Sequence, residues 1–311
     1  MYYKYLNDRT PAYLPMPMQV TGTNANPEWS SVPGFDALYG TPHSPFLNQN
    51  LGVGPDGQLR RANVFDGMNP VSQSIGTEFS FDLGSDWSLT NRNRMSFNSG
   101  RFVSPFPAEV GDATAIAQSI GGNGSTLTYA DDGSPFGAGF ADNGLAMRIH
   151  MFDTELNNFN NFVNDFKISK SFSEGKYNLN AGVFKANQNI SMSWLWNSYL
   201  TDVNGENTRL LNVTDSAGNM VSDNGLYAYG VPFWGNCCTR NYDVAYDLVA
   251  PYAAVELEPL EGLNIDASFR WDIGNVNGSF AGAAQTVLDV NNDGVISQPE
   301  SDVSAVDNVN T

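Results

Sequence analysis

Basic residues are scarce in this sequence. Lysine and arginine number 15 against 33 acidic residues, for a formal charge of -18. That balance argues against a nucleic-acid partner, whose phosphates need the opposite sign. Charge of any kind is thin, at 15% of residues against roughly 25% in an ordinary soluble domain. No apolar run approaches the roughly 18 residues of a membrane-spanning helix. The opening "MYYKYLNDRT" lacks the charged, apolar, small-residue order of a signal peptide. An exported chain of this kind would be part of a longer protein. Cysteine appears twice, side by side, as Cys237 and Cys238. Such sparse use says little about compartment, and the pair is open to a vicinal disulfide, to bonds with another chain or to free thiols. The two histidines, His43 and His150, have no His or Cys neighbour at metal-ligand spacing and read as loop or packing residues. Arrangements of Ser/His/Asp or Cys/His, and a phosphate-cradling glycine loop ahead of a helix, are missing, so the chain does not read as an enzyme.

What is present is alternation. In "LNIDASFRWDI" (263–273), Leu263, Ile265, Ala267, Phe269, Trp271 and Ile273 alternate with Asn264, Asp266, Ser268, Arg270 and Asp272. Successive side chains of a strand point to opposite faces, so this is a strand with one apolar and one polar side. The same period runs through "IGTEFSFDL" (75–83), "WSLTNRNRMSF" (87–97), "NFVNDFKISKSF" (161–172, with Asn164 and Lys170 as exceptions) and "YNLNAGV" (177–183). The stretch "NYDVAYDLVAPYAAVEL" (241–257) is strand-like, but its phase shifts near Pro251.

The connections are as telling. Three are tight: "GSD" at Gly84–Asp86, "SEGK" at Ser173–Lys176 and "EPLEG" at Glu258–Gly262, each closing a hairpin. Between them lie long stretches rich in Gly, Asn, Asp, Ser and Pro, roughly 7–74, 100–159, 200–240 and 275 to the end. Strict alternation of short and long connections is the polarity of an outer-membrane barrel, with short periplasmic turns and long extracellular loops. The expected fold is therefore all-β: a partial transmembrane antiparallel β-barrel of about seven strands. Arg92, Arg94, Asp266, Arg270 and Asp272 would face the lumen, and Trp87, Phe172 and Tyr177 would form an interfacial girdle beside the tight turns. Bacterial single-chain barrels use even strand numbers and the chain ends at "DNVNT", inside a loop. On that expectation residues 1–311 are one segment of a larger barrel.

The phrases "YLNDRTPAYLPMPMQVTGTN", "GPDGQLRRANVFDGMNP" and "NNFVNDFKISKSF" resemble the barrel region of TonB-dependent receptors of Gram-negative bacteria, and the likeness of texture extends over the whole chain. The resemblance implies a barrel of about 22 strands around an N-terminal plug, set in outer-membrane lipid and lipopolysaccharide. It also implies energised import of a bulky or scarce solute, such as a siderophore or oligosaccharide. Engagement of the TonB complex would run through a plug that this chain lacks.

Two features stand apart from the strands. "LDVNNDGVISQPES" (288–301) carries Asp289, Asn291, Asp293, Val295, Ser297 and Glu300 at the ligand positions of an EF-hand loop, with Gly294 at the turn. It predicts a structural calcium ion in a surface loop, although neither flank reads as a helix. The loop aromatics Trp29, Phe35, Tyr39, Phe46, Trp194, Trp196, Phe233 and Trp234 are candidates to stack on a ligand or to pack a loop cap. "VPFWGNCC" (231–238) is the sharpest of these stretches, placing Phe233 and Trp234 beside Cys237 and Cys238, with Trp29 as a further candidate. A passive porin and a secreted, calcium-dependent β-rich adhesin or carbohydrate-binding protein are the alternatives.

Overall fold

The computed structural model describes residues 1–13, 16–54, 56–137 and 143–306; the terminal "DNVNT" lies outside them. The chain opens with strand β1 (Tyr2–Asn7). The first long connection carries two hairpins, β2 (Met18–Thr23) with β3 (Asn26–Ser31) and β4 (Gln49–Val53) with β5 (Leu59–Asn63). Two long strands follow, β6 (Met68–Gly84) and β7 (Trp87–Asp112). The second connection folds into helix α1 (Ala113–Gly121), β8 (Thr126–Tyr129) and β9 (Pro135–Phe136). Next come β10 (Leu145–Asn158) and β11 (Asn161–Phe172), split at Phe159 and Asn160, then β12 (Tyr177–Asp202). The third connection holds β13 (Leu211–Thr214), β14 (Leu226–Ala228) and a 3-10 turn at Pro232–Trp234. β15 (Arg240–Leu260) returns as β16 (Leu263–Arg270) and β17 (Ile273–Ala281), split at Trp271 and Asp272. The last connection contains β18 (Ala283–Thr286) and β19 (Val303–Val306).

All pairings of the main sheet are antiparallel. β10 and β11 both lie between β7 and β12, and β16 and β17 both lie along β15. The sheet is therefore an up-and-down meander of seven strand positions, in agreement with the periodicity. The three tight turns fall at one end. At the first, Ser85 and Asp86 both have positive φ, 50° and 62°, the conformation that matches the twist of a two-residue hairpin. Every long connection falls at the other end.

The strands outrun their sequence signal. β7 continues to Asp112 and β10 begins at Leu145, inside stretches that composition had given to loops. Near the long-connection end both faces of the sheet are covered, so the residues no longer alternate in polarity. The long connections are likewise not irregular but folded. Helix α1 was not anticipated; the Asp112 side chain caps it by accepting from the Ala115 N–H at 2.8 Å. The strand read as 263–273 breaks at Trp271–Asp272 and resumes to Ala281.

Register across the sheet exposes a second pattern. In the half nearest the tight turns, Phe81, Leu89, Ile168, Ala181, Ala253 and Phe269 form one continuous cross-strand row. The adjoining row on the opposite face is Asp82, Ser88, Ser169, Asn180, Ala254 and Ser268. Arg92, Arg94, Asp266 and Arg270 lie on this polar face, with Arg92 against Glu78 at 3.1 Å; Asp272 sits in the β16–β17 break, paired with Arg270 at 2.8 Å. In the half nearest the long connections the faces exchange character. Ser191, Asp243 and Ser279 continue the formerly apolar side, while Met192, Tyr242 and Phe280 continue the formerly polar one. The β12–β15 register runs without a shift from Tyr177/Leu257 to Trp194/Arg240. The phase change near Pro251 is thus a change of chemistry along an unbroken strand and not a slip of the backbone.

Two cores cover the long-connection end. Neighbours Tyr199 and Leu200 on β12 point to opposite faces and belong to different cores. The first core joins Met147, Ile149 and Met151 to Phe35, Leu47 and Val64 of the first connection and Val290 and Val303 of the last. The second packs Ala146 and Leu200 against Ile116 of α1 and Leu211 and Val213 of β13. Phe35, a loop aromatic, is core, whereas Tyr39 is exposed.

Candidate functional site

Where the two faces exchange character, the rows of β7, β10 and β12 on the formerly polar side present rings. Phe106, His150 and Ser198 form one cross-strand row, Ser104, Phe152 and Trp196 the next, and Phe102, Thr154 and Trp194 a third. Large side chains on alternate residues of adjacent strands meet side by side. Phe152 therefore packs on Trp196 with centroids 4.5 Å apart, on Phe102 at 5.1 Å and on Trp194 at 5.3 Å. The 3-10 turn of the third connection lays Trp234 on this surface, 4.4 Å from the His150 ring, 5.7 Å from Phe106 and 5.8 Å from Trp196.

Beside the aromatic patch opens a cavity of about 480 Å³ lined by Glu109, Ser119, Arg148, Tyr227, Phe233 and Asn236, among others. Arg148 is its buried base. It donates Nε to Glu109 at 2.9 Å, Nη1 to the Tyr227 hydroxyl at 2.9 Å and Nη2 to Ser119 at 2.9 Å, and its guanidinium lies 4.6 Å from the Phe233 ring centre. Glu109 balances Arg148, and Asp302 adds a second carboxylate to the lining. The structure thus gathers Phe233 and Trp234 with Trp194 and Trp196. Trp29 is not part of this group: it lies on the exposed β2–β3 hairpin and has no ring contact among those found in the described residues.

Cys237 and Cys238 are joined as a vicinal disulfide, of the three possibilities the one internal to the chain. It follows directly on the turn that carries Phe233, Trp234 and Asn236. The signal that sequence reasoning missed was in the strands. His150, read as a packing residue, is wholly buried and stands at the centre of the ring cluster.

The loop 289–300 is closed by its own acids. Glu300, buried, accepts from the Val290 and Asn291 N–H groups through Oε1 and from the Ser297 N–H and hydroxyl through Oε2. Asp289 accepts from the Asp293 and Gly294 N–H groups, and Asp293 from that of Val295. A 3-10 turn at Pro299–Asp302 stands where an EF-hand would begin its second helix. In this arrangement the roughly four lone-pair sites of the Glu300 carboxylate are all engaged by the loop's own donors, and among the described residues no group of three or more His, Cys, Asp or Glu is arranged around a metal position.

At the end of β12, Asp202 accepts from the Arg209 N–H at 2.8 Å, and burial raises its carboxyl to about 6. A carboxyl with a raised folded value holds its proton more tightly folded than unfolded. Its stabilising contribution is complete below the ordinary value near 4 and is lost as pH climbs through 6. Asp202→Asn is expected to remove about 3 kcal/mol of pH dependence between pH 4 and pH 7.5, measured as the difference in denaturant stability between wild type and variant at the two pH values. Equal slopes for the two proteins would contradict the assignment.

No family model matches the chain, and neither a curated protein nor a solved structure matches it. No helix among the described residues is long and apolar enough to cross a membrane, which leaves strand-based crossing untouched.

Proposed function

We propose that this chain is part of the wall and surface cap of an outer-membrane β-barrel receptor that takes up a bulky or scarce solute. The observation that carries the reading is the exposed apolar belt beside the tight turns. Phe81 is 55%, Phe269 66% and Trp271 62% exposed, and among the described residues these rows have no second layer of protein over them. The belt spans nine residues on β6 (75–83) and eleven on β7 (87–97), against the roughly 9–11 residues a tilted transmembrane strand needs. An uncovered belt of this size on a soluble surface would invite aggregation; against hydrocarbon it is the required surface. Polar interruptions on the belt are mutually satisfied, Asn91 and Asn164 exchanging amide hydrogen bonds at 3.2 Å. At the turn rim, Lys170 lies 5.7 Å from the Trp87 ring and 5.1 Å from that of Phe172, as an interfacial girdle requires.

In this reading the tight turns are periplasmic, the long connections are extracellular and the polar face lines the lumen. The open sheet edges at β1 and β16 continue into neighbouring strands of a larger barrel, since lipid cannot satisfy a bare edge. The second core packs the long connections against the face assigned to the lumen, which favours a gated receptor over a passive porin. The earlier likeness to TonB-dependent receptors supports the same reading and supplies the proposed partners: lipopolysaccharide, the TonB complex through a plug, and a small-molecule or oligosaccharide ligand. The role is binding and transport, with no catalytic step. Expression of the full-length protein tests it. The protein should fractionate with outer membranes and need detergent to leave them, and protease added to intact cells should cut the long connections and spare the tight turns. A monodisperse product in plain buffer would overturn the reading.

Calcium enters as an accessory. The donors of Asp289, Asn291, Asp293, Ser297 and Glu300, with the Val295 carbonyl, are all oxygen, the set this hard cation takes. Binding would exchange the hydrogen bonds of Glu300 for metal contacts. Millimolar calcium is expected to protect amides 289–300 from hydrogen exchange relative to EDTA, and identical exchange in both conditions would remove the ion from the account.

A further inference from the structure

Buried polar atoms without a hydrogen-bond partner are uncommon in folded proteins, and each calls for a physical cause. Among the described residues they are Nε2 of His150, Nε1 of Trp196, Oγ1 of Thr154, Oδ1 of Asn236 and Nε2 of His43. All but the last belong to the aromatic patch or to the turn that covers it. Thr154 and Trp194 face each other in one row, Phe152 and Trp196 in the next, and His150 stands in the third. Asn236 follows Trp234 by two residues. The unpaired groups are therefore concentrated where the rings are.

The polarity of two of them follows from their neighbours. The Ser198 hydroxyl donates to the Gly230 carbonyl at 2.7 Å, which uses its proton. The 3.0 Å contact between Ser198 Oγ and His150 Nδ1 must then be a donation from Nδ1–H. That leaves Nε2 of His150 as a bare acceptor. Burial, with Arg148 as a lesser cause, pushes this imidazole down to about 3, so the ring is neutral. The Trp196 indole is a donor only. Over both lies Trp234, itself about a third exposed, on a turn that ends in Gly235 in the left-handed conformation.

We propose that this patch is a binding site for the ring of a neutral sugar, reached when Trp234 swings off the strands. A sugar hydroxyl both donates and accepts, so the hydroxyls of one ring can donate to His150 Nε2 and accept from Trp196 Nε1–H. Thr154 and Asn236 serve its neighbours. The apolar C–H face of the sugar stacks on the rings of Phe152, Trp194 or Trp196, and aromatic walls with a few converging polar atoms are the usual make-up of a small-molecule site. The polar groups offered are uncharged. Around them Arg148 is balanced by Glu109, while Arg240 lies 5.0 Å from the Trp194 ring centre and Asp302 lines the adjoining cavity, so the nearby formal charges sum to zero and give no net attraction for an anionic chelate. This inference deepens the receptor reading by naming the substrate class of its extracellular mouth.

The test uses the full-length protein and neutral hexasaccharides of glucose, mannose, xylose and galactose, with an anionic ferric catecholate as comparison. Intrinsic tryptophan fluorescence should change on saturation with at least one hexasaccharide and not with the chelate. His150→Phe, which keeps the ring and removes the acceptor, and Trp196→Phe, which removes the donor, should each weaken that sugar about five- to tenfold, the worth of one hydrogen bond. Near-ultraviolet circular dichroism establishes that both variants are folded. Because the imidazole is already neutral, affinity should be flat from pH 5 to pH 8. Binding of the chelate alone, of none of the sugars at millimolar concentration, or with equal affinity in both folded variants and wild type overturns the site. Membrane fractionation is read independently. A membrane protein that fails to bind sugar loses this site and keeps the receptor reading, whereas a soluble one that binds keeps the site and loses the reading.

Discussion

Phe166→Arg is expected to cost about 2–4 kcal/mol of folding stability in lipid vesicles, the penalty for a cation facing hydrocarbon near mid-bilayer. Phe166 lies in the middle of β11, opposite Val183 of β12 and Asn91 of β7 on the apolar side, and is 41% exposed. Among the described residues no second layer packs over it, so on a water-facing surface the same substitution would change stability by no more than about 0.5 kcal/mol. Ser80→Arg on the adjoining face of β6 serves as the partner measurement and should cost less than about 1 kcal/mol, because in the proposed barrel that side chain would enter the aqueous lumen. Urea titrations of vesicle-refolded protein read both. If the two substitutions cost the same, the belt does not face lipid.

Arg101→Ala carries a comparable effect from a different cause. Asp153 of β10 is 2% exposed at its side chain and accepts from Arg101 Nε at 2.8 Å, Arg101 Nη2 at 2.9 Å and Asn50 Nδ2 at 3.0 Å. Arg101 also donates to the Arg61 carbonyl at 3.0 Å. Asn50 in turn accepts from Asn197 at 2.7 Å and from the Tyr199 hydroxyl at 3.1 Å. The network pins the β4–β5 hairpin to the sheet. Removing the guanidinium leaves a buried carboxylate with a single amide donor, a loss of about 3–5 kcal/mol. Asp153→Asn in the Arg101→Ala background should restore part of it by removing the stranded charge. Hydrogen exchange should also show residues 49–63 loosened. A variant as stable as wild type would mean that the hairpin is held elsewhere.

The strand count, the antiparallel order and the polarity of the connections were legible because polar–apolar alternation runs through 75–97, 161–183 and 263–273, with Asn164 and Lys170 as exceptions, and because Ser85, Asp86 and Gly262 announce tight turns. The upper halves of β7, β10 and β12 were not legible for a definite reason. Met147, Ile149 and Met151 are buried on one side of β10 while Arg148 and His150 are buried on the other, so no period survives in the sequence. For the site, "VPFWGNCC" was visible as a chemically dense loop, and Trp194 and Trp196 were visible beside it. The contribution of His150 was not, since it depends on a pairing with Ser198 that spans 48 residues. Arg148 was overlooked for the same cause, its partners coming from β7, α1 and β14.

The exchange of faces along β12 and β15 also fixes depth. Strands β7 and β12 each carry belt residues on one side near the tight turns and members of the ring-lined recess on the other side nearer the long connections. Their separation is a number of covalent bonds, and no loop intervenes. A slip of one residue would turn both inside out at once, doubling the penalty that keeps an ordinary strand in register. In the proposed receptor, the height of the ring-lined recess over the bilayer would therefore be set by the length of the strands.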